Sequence, residues 1–187
     1  MLSTILHEPL VVWTLRSFLA ALFLTAALSK LTAIDEFHGV VRNFRLLPDG
    51  LARPVAMVLP VVEMAIAAGL LIGPLARPAA LAAAALLAVF GLAIAVNVLR
   101  GRTQIDCGCF RNGMKQRIGW ATVARNGVLT ALALGAGALL AQGRAASAGD
   151  IATGLAAGLT LTLLYMGAEM LGGFVAMNNR ASSTKGC

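Results

Sequence analysis

The sequence predicts an all-α membrane protein, a bundle of five transmembrane helices with one short amphipathic helix in the first loop. Three observations support this prediction. Of the 187 residues, 59% are hydrophobic and 12% are charged, whereas a soluble domain is about half apolar and a quarter charged. Five apolar windows are long enough to span a bilayer, which takes about 20 residues. The basic residues lie mainly in short loops between these windows.

The net charge of +7 indicates membrane topology and contact with anionic lipid headgroups rather than nucleic-acid binding. No cleaved signal peptide is expected, because the first apolar run lacks a preceding basic segment and contains Arg16. Residues 1–187 are therefore expected to form a single integral membrane domain.

The predicted spans each rest on an apolar window of sufficient length. Their bounds are Leu10–Leu31, Ala52–Ile72, Ala79–Leu99, Gly119–Ala141 and Ile151–Met177. The Gly- and Pro-containing turn at residues 73–78 predicts an antiparallel hairpin of the second and third spans. Gly154 and Gly158 have GxxxG spacing, which indicates either a close-packing surface or ordinary glycine in a helix of small residues.

The first loop predicts a short amphipathic helix. Apolar residues recur there at helical spacing, whereas Arg42, Asn43 and Arg45 fall elsewhere on the helical wheel. The apolar residues are Phe37, Val40, Val41, Phe44 and Leu47. Such a helix suits the membrane interface, and Pro48-Asp49-Gly50 is expected to end it. It serves either as a surface anchor or as a cap over a site.

Polar residues from all five spans fall in the same half of the membrane. The loops alternate between two faces, and the face with the first and third loops is named side B. The residues near side B are Lys30, Glu63, Asn97, Arg125 and Glu169. Because intramembrane charges pair inside bundles, Glu63 and Arg125 are expected to form an ion pair, either as structural glue or as part of a site. Arg16 lies toward the opposite face, side A, and is expected to snorkel to the interface.

The loop between the third and fourth spans contains Asp106-Cys107-Gly108-Cys109-Phe110. A disulfide between Cys107 and Cys109 would close a small, strained ring, and strained disulfides exchange readily. Surrounding basic residues favour the thiolate, which is the nucleophile. These basic residues are Arg100, Arg102, Arg111, Lys115 and Arg117. The pattern predicts redox exchange at the two cysteines.

Two other roles for the cysteine pair stay open. Soft thiolates bind Cu(I), with Met114 as a further soft ligand, or the cysteines are purely structural. A zinc site is not supported, because four ligands are lacking, so no metal is assigned. Cys187, on a polar tail, is given no role.

A set of residues between Lys30 and Asn126 matches a known family. Besides Cys107-Gly108-Cys109-Phe110, the set comprises Lys30, Phe37, Phe44, Leu47-Pro48, Pro60, Glu63, Asn97, Arg100-Gly101, Trp120 and Arg125-Asn126. On these residues the chain resembles the MauE family of methylamine utilisation membrane proteins, within the wider group of MauE/DoxX-like redox-associated membrane proteins. Arg111 departs from the pattern, which has glycine after the phenylalanine.

The resemblance implies a multi-pass protein of the bacterial inner membrane that acts in methylamine metabolism. It implies maturation or export of the small subunit of methylamine dehydrogenase, a periplasmic enzyme rich in disulfides, with a thioredoxin-like, membrane-anchored partner of the MauD type. It also adds Asn126 to the polar cluster. The helix arrangement looks like the vitamin K epoxide reductase bundle, an analogy of fold alone. No cofactor is assigned, and quinone binding stays open.

Charge and implied function disagree on the side of the cysteine loop. Side B and the C-terminal tail hold most of the Lys and Arg residues, so the positive-inside rule places the loop in the cytoplasm. Disulfide formation in a periplasmic protein would place it outside, and arginines that activate thiols would mislead the rule. We expect the loop on the cytoplasmic side, as the charge distribution predicts.

Two classes of function follow from the sequence. The first is a redox maturation factor, either a thiol–disulfide oxidoreductase or an accessory to one. The second is a membrane scaffold or small-solute carrier in which the cysteines are not catalytic.

Overall fold

The structure is a computed structural model that describes residues 8–103, 118–141 and 145–183, except for the side chains of residues 49 and 173–183. This part of the chain consists of six α-helices and one 3₁₀ turn, and it contains no strand. The helices are α1 Pro9–Leu31, α2 Ile34–Phe44, α3 Asp49–Leu71, α4 Ala76–Leu99, α5 Trp120–Leu140 and α6 Ala148–Ser183. The predicted all-helical class is confirmed.

Five of the helices, all except α2, are long and apolar enough to cross a membrane. They match the five predicted spans, with ends shifted by a few residues. The largest shift is in α6, which continues past the expected end at Met177 to Ser183. Its 36 residues extend about 54 Å, against a hydrocarbon core of about 30 Å. Part of α6 therefore extends beyond the hydrocarbon.

The helix predicted in the first loop is α2, and it is amphipathic. Phe37 and Phe44 are buried, whereas Arg42 and Asn43 are exposed. The two faces of α2 thus differ as an interfacial helix requires.

The predicted end of α2 is wrong. The helix ends at Phe44, because Arg45 takes a left-handed conformation with φ of 47°, a common way for a helix to stop. Pro48 instead occupies the N-cap position of α3, and Asp49 and Gly50 are the first residues of that helix. Proline is tolerated at a helix start, because the first N–H groups have no helical acceptor.

The second and third spans, α3 and α4, form the predicted hairpin. A single 3₁₀ turn, Gly73–Leu75, joins them. Beside this turn the helices approach closely, since a Cβ on Gly69 would lie 2.9 Å from the Cβ of Ala79. Glycine at this position therefore permits the tight return of the chain.

The bundle is built around α1. This helix packs against α3 and α6 and, over a smaller area, against α5, while α4 packs against α5 and α3. The core includes Leu19 of α1, Leu70 of α3 and the small residues Ala80, Ala83 and Ala133. Small residues allow close packing between helices in lipid, where van der Waals contact contributes strongly to association.

The GxxxG pair of α6 is a close-packing surface against α1. A Cβ on Gly154 would lie 2.5 Å from the Cβ of Trp13, and a Cβ on Gly158 would overlap Ser17. The Ser17 hydroxyl donates a hydrogen bond of 2.8 Å to the Gly154 carbonyl. The first of the two interpretations of this motif is therefore confirmed.

Arg16 does not snorkel to the interface. It is 4% exposed, and its Nε donates a hydrogen bond of 2.7 Å to the Leu70 carbonyl. Its guanidinium carbon lies 3.8 Å from the centroid of the Trp13 ring. Leu70 belongs to the last turn of α3, where carbonyls carry partial negative charge. The expectation was wrong because it rested only on the depth of Arg16 along α1. It took no account of the carbonyl and the aromatic ring that the guanidinium meets inside the bundle.

Reporter fusions test the order of crossings. Three spans separate Gly73 from Asn179, so the two positions should lie on opposite sides of the membrane. A periplasmic reporter, alkaline phosphatase, and a cytoplasmic one, green fluorescent protein, should give opposite signals at the two sites. Equal signals would contradict five spans. The fusion at Asn179 also reports the side of the cysteine segment, because two spans separate them.

Gly158→Ala should destabilise the protein. The new Cβ meets Ser17 and the backbone of Phe18, and overpacking costs about 1–3 kcal/mol. The control is Gly167→Ala in the same helix, where nothing lies within 4 Å of the added carbon. Thermal unfolding in detergent measures both variants, and equal midpoints would show that the α1–α6 contact is not tight.

Candidate functional site

A buried ion pair joins α1 to α3. Lys30 Nζ donates hydrogen bonds of 2.8 and 2.9 Å to the two carboxylate oxygens of Glu63, and both side chains are 3% exposed. Lys30 lies in the last turn of α1, and its Nζ reaches back to within 3.4 Å of the Ala26 carbonyl. Helical side chains point toward the N-terminus of their helix, so this lysine at the end of a span places its charge inside the bundle.

Two aromatic rings lie near the ammonium of Lys30. The Nζ atom is 5.3 Å from the ring centroid of Phe37 in α2 and 5.9 Å from that of Phe90 in α4. Aromatic faces attract cations within about 6 Å. Through Phe37 the interfacial helix thus covers the ion pair, which is more than a surface anchor requires.

A second ion pair joins α5 to α6. Arg125 Nη1 donates a hydrogen bond of 2.8 Å to Glu169 Oε2, with side-chain exposures of 13% and 24%. The predicted partners, Glu63 and Arg125, are thus each engaged by another residue. The prediction identified the right cluster, but it overlooked Lys30 as a partner of Glu63 and Glu169 as a partner of Arg125, because Lys30 was considered only as the end of its span.

A cavity of about 50 Å³ lies beside both ion pairs. Its polar lining comes from Lys30, Glu63, Arg125 and Asn126. The rest of the wall is Leu22, Phe23, Ala26, Leu87, Phe90, Leu129 and Tyr165. A water molecule needs about 10–15 Å³ by this measure, so the cavity has room for water. Of the charged residues in this lining, Lys30 and Glu63 pair with each other, whereas Arg125 pairs with Glu169.

Asn126 belongs to this cavity, as expected for a member of the polar cluster. It is 5% exposed, and its Nδ2 donates a hydrogen bond of 2.9 Å to the Thr122 carbonyl. A Cβ on Gly91 would lie 3.3 Å from the Cβ of Asn126. The small residue on α4 therefore lets α5 bring the amide into the bundle.

Asn97 and Arg102 form a separate polar group at the end of α4. Asn97 is fully buried and donates through Nδ2 to the Ala93 carbonyl at 3.0 Å. Its Oδ1 accepts from Arg102 Nη1 at 3.4 Å. Arg100 is exposed instead. The two arginines, which the sequence grouped as one basic set, therefore have different surroundings.

Cys107, Cys109 and Arg111 lie outside the described residues, so their roles stay predictions. The structure shows the chain on both sides of this segment, up to Thr103 and again from Ile118, which is 2% exposed. Within the described ranges, no group of three or more His, Cys, Asp or Glu residues could hold a metal ion.

No signal in the sequence marks the aromatic part of the cavity. Phe90 and Tyr165 line it, yet an aromatic residue within an apolar span gives the same pattern whether it faces lipid or the interior. Phe37 did carry a signal, because it begins the apolar stripe of α2. The stripe indicated that Phe37 is buried but not that it lies near Lys30.

These features define a small multi-pass membrane protein with paired charges inside its bundle. The profile of the family described as "Methylamine utilisation protein MauE" matches residues 8–142. The chain belongs to this family. It is therefore a methylamine utilisation protein of the inner membrane.

Relatives match along the whole chain. The chain is 70% identical to methylamine utilization protein MauE of Paracoccus versutus and 58% identical to that of Paracoccus denitrificans, in each case over 99% of this chain and 100% of the relative. It is 49% identical to the protein of the same name in Methylorubrum extorquens, over 100% of both chains. No solved structure matches the chain.

Removing one member of the Lys30–Glu63 pair should strongly destabilise the fold. Glu63→Gln takes the counter-charge from a buried ammonium, and breaking a buried pair from one side costs about 3–5 kcal/mol. Folded yield in membranes and the unfolding midpoint in detergent measure the loss. The matched control is Glu36→Gln, the same change at an exposed position of α2. If both variants behave alike, the pair does not hold the bundle together.

The double variant Lys30→Met, Glu63→Gln separates structural glue from a functional pair. Removing both charges should restore most of the stability, because uncharged replacements of a buried pair are often neutral. Growth of this double variant on methylamine then shows whether the Lys30–Glu63 pair has a function beyond stability. Normal growth indicates a structural pair, whereas a stable protein that fails to support growth indicates a functional one.

Proposed function

We propose that the protein is a membrane maturation factor that exchanges disulfides through Cys107 and Cys109. Its client is the small subunit of methylamine dehydrogenase, and a thioredoxin-like, membrane-anchored partner of the MauD type exchanges electrons with it. Membership of the family supports the setting, methylamine utilisation. The thiol chemistry, the client and the partner are the proposal.

One observation carries the proposal: positive charge is concentrated around the segment that contains the two cysteines. Arg100 lies just before the segment and is exposed, and the segment itself contains Arg111, Lys115 and Arg117. Cationic side chains near a thiol lower its pKa and raise the fraction of the reactive thiolate. Such an arrangement supports exchange more than a passive scaffold.

The exchange step balances without a bound cofactor. One thiolate of the pair attacks a disulfide sulfur of the partner, which forms a mixed disulfide and releases the partner's other sulfur as a thiolate. The second cysteine, as thiolate, then attacks the mixed disulfide. The partner leaves as a dithiol, and Cys107 and Cys109 become a disulfide. The reverse sequence oxidises a client dithiol and leaves the pair reduced.

The cavity beside the two ion pairs does not fit a quinone ring in this conformation. Its volume is about 50 Å³, whereas an apolar cavity of about 150 Å³ accommodates benzene. The partner proposed for electron transfer is a protein.

Cysteine substitutions test the proposal. Changing either Cys107 or Cys109 to serine removes the resolving thiol, so the remaining cysteine should accumulate a mixed disulfide with its partner. The adduct is detected on a non-reducing gel and identified by mass spectrometry. The double variant should lose both the adduct and growth on methylamine.

The matched control is Cys187→Ser, which removes the third cysteine of the chain. It should leave adduct formation and growth unchanged. If neither single variant forms an adduct and the double variant still grows on methylamine, the scaffold function replaces the redox function.

A further inference from the structure

The two ends of the cysteine-containing segment meet at the C-terminus of α2. Before the segment, Arg102 Nη2 donates a hydrogen bond of 3.1 Å to the Asn43 carbonyl, and its Nη1 lies 3.4 Å from the Phe44 carbonyl. After the segment, Ile118 packs in a buried cluster with Phe44 and Ile94. Phe44 thus contacts the chain on both sides of the segment. Its carbonyl accepts from Arg102, and its side chain packs against Ile118.

The C-terminus of α2 is chemically suited to hold a guanidinium. The last carbonyls of a helix have no intrahelical donor, and they carry the partial negative charge of the helix dipole. The left-handed Arg45 ends α2 immediately after Phe44. A guanidinium presents several N–H donors in one rigid plane, so it can serve two adjacent carbonyls together.

Arg102 is also held from its own side, by the end of α4. Its backbone N–H donates a hydrogen bond of 2.9 Å to the Asn97 carbonyl, and its Nη1 donates to Asn97 Oδ1 at 3.4 Å. Gly101 has φ of 71°, and this left-handed turn brings Arg102 back onto Asn97. The buried Asn97 therefore supports the guanidinium that reaches α2.

Arg100 is the natural comparison for Arg102. It carries the same charge two positions earlier, and it is exposed. An exposed charge acts on a neighbouring thiol through a field that salt screens. Hydrogen bonds from a partly buried guanidinium to backbone carbonyls are far less sensitive to salt.

We infer that Arg102 is a positioning residue that, with Asn97 and Phe44, clamps both ends of the cysteine-containing segment to the interfacial helix. The clamp determines where the segment leaves the bundle and where it returns. Arg102 acts through geometry and not through its charge on the thiols. Its consequence for disulfide exchange rests on the proposed function, whereas the clamp itself does not.

Hydrogen–deuterium exchange of the full-length protein in lipid nanodiscs tests the clamp directly. Arg102→Gln should speed amide exchange in peptides covering residues 42–46 and 98–103 by about tenfold, as expected for loss of one charge-assisted hydrogen bond. Arg100→Gln should leave the exchange in both peptides unchanged. Unchanged exchange in Arg102→Gln would overturn the clamp.

The salt dependence of adduct formation distinguishes whether Arg102 acts through its hydrogen bonds or through its charge. Adduct formation is measured in a single-cysteine trapping variant that also carries Arg102→Gln, Arg102→Lys or Arg100→Gln. Between 0.1 M and 1 M salt the screening length falls from about 10 Å to about 3 Å. The deficit of Arg100→Gln should disappear in 1 M salt, whereas a several-fold deficit of Arg102→Gln should persist. Lysine cannot span two carbonyls as arginine does, so Arg102→Lys should resemble Arg102→Gln.

Full rescue by Arg102→Lys, or a deficit of Arg102→Gln that disappears in 1 M salt, would show that charge matters and would overturn the inference. If no adduct forms with any trapping variant, the proposed function fails, and the exchange data alone decide on the clamp. If Arg102→Gln does not accumulate, Asn97→Ala replaces it in both experiments, because it removes the side-chain oxygen that supports the guanidinium without adding volume to the core.

Discussion

Charges inside a membrane constrain how the helices of this protein are arranged. Lys30 and Glu63 are each 3% exposed, and neither could stay charged at that place alone. Their pairing requires α1 and α3 to lie side by side with these two positions facing each other. Arg125 and Glu169 join α5 to α6, two helices that otherwise pack little against each other. An arrangement that separated either pair would leave charge in hydrocarbon.

Small residues make this arrangement sterically feasible. Gly154 and Gly158 bring α6 against the backbone of α1, and alanines form the contacts of α4 with its neighbours. With α1 enclosed in this way, its polar side chains reach partners inside the bundle. Arg16 donates a hydrogen bond to the end of α3, and Lys30 forms an ion pair with Glu63. Close backbone packing and internal charge pairing therefore depend on each other.

The interfacial helix connects the two parts of the candidate site. Near its N-terminus, Phe37 covers the ammonium of Lys30. At its C-terminus, Phe44 meets both Arg102 and Ile118. A member of the MauE family that exchanges disulfides with a partner would need its cysteines presented at the end of the bundle in a defined position. A helix fixed at both ends to the bundle provides a rigid base for that purpose.

The sequence by itself determined the elements of this protein. Length and polarity are local properties, so the five apolar windows, the hairpin at residues 73–78 and the amphipathic α2 could all be predicted. The depth of each polar residue along its span also followed, which gave the cluster of Lys30, Glu63 and Arg125. Only the tertiary structure decided the partners. Pairing depends on how each helix is rotated about its axis and on where each side chain points, and neither is contained in a count of residues along a span.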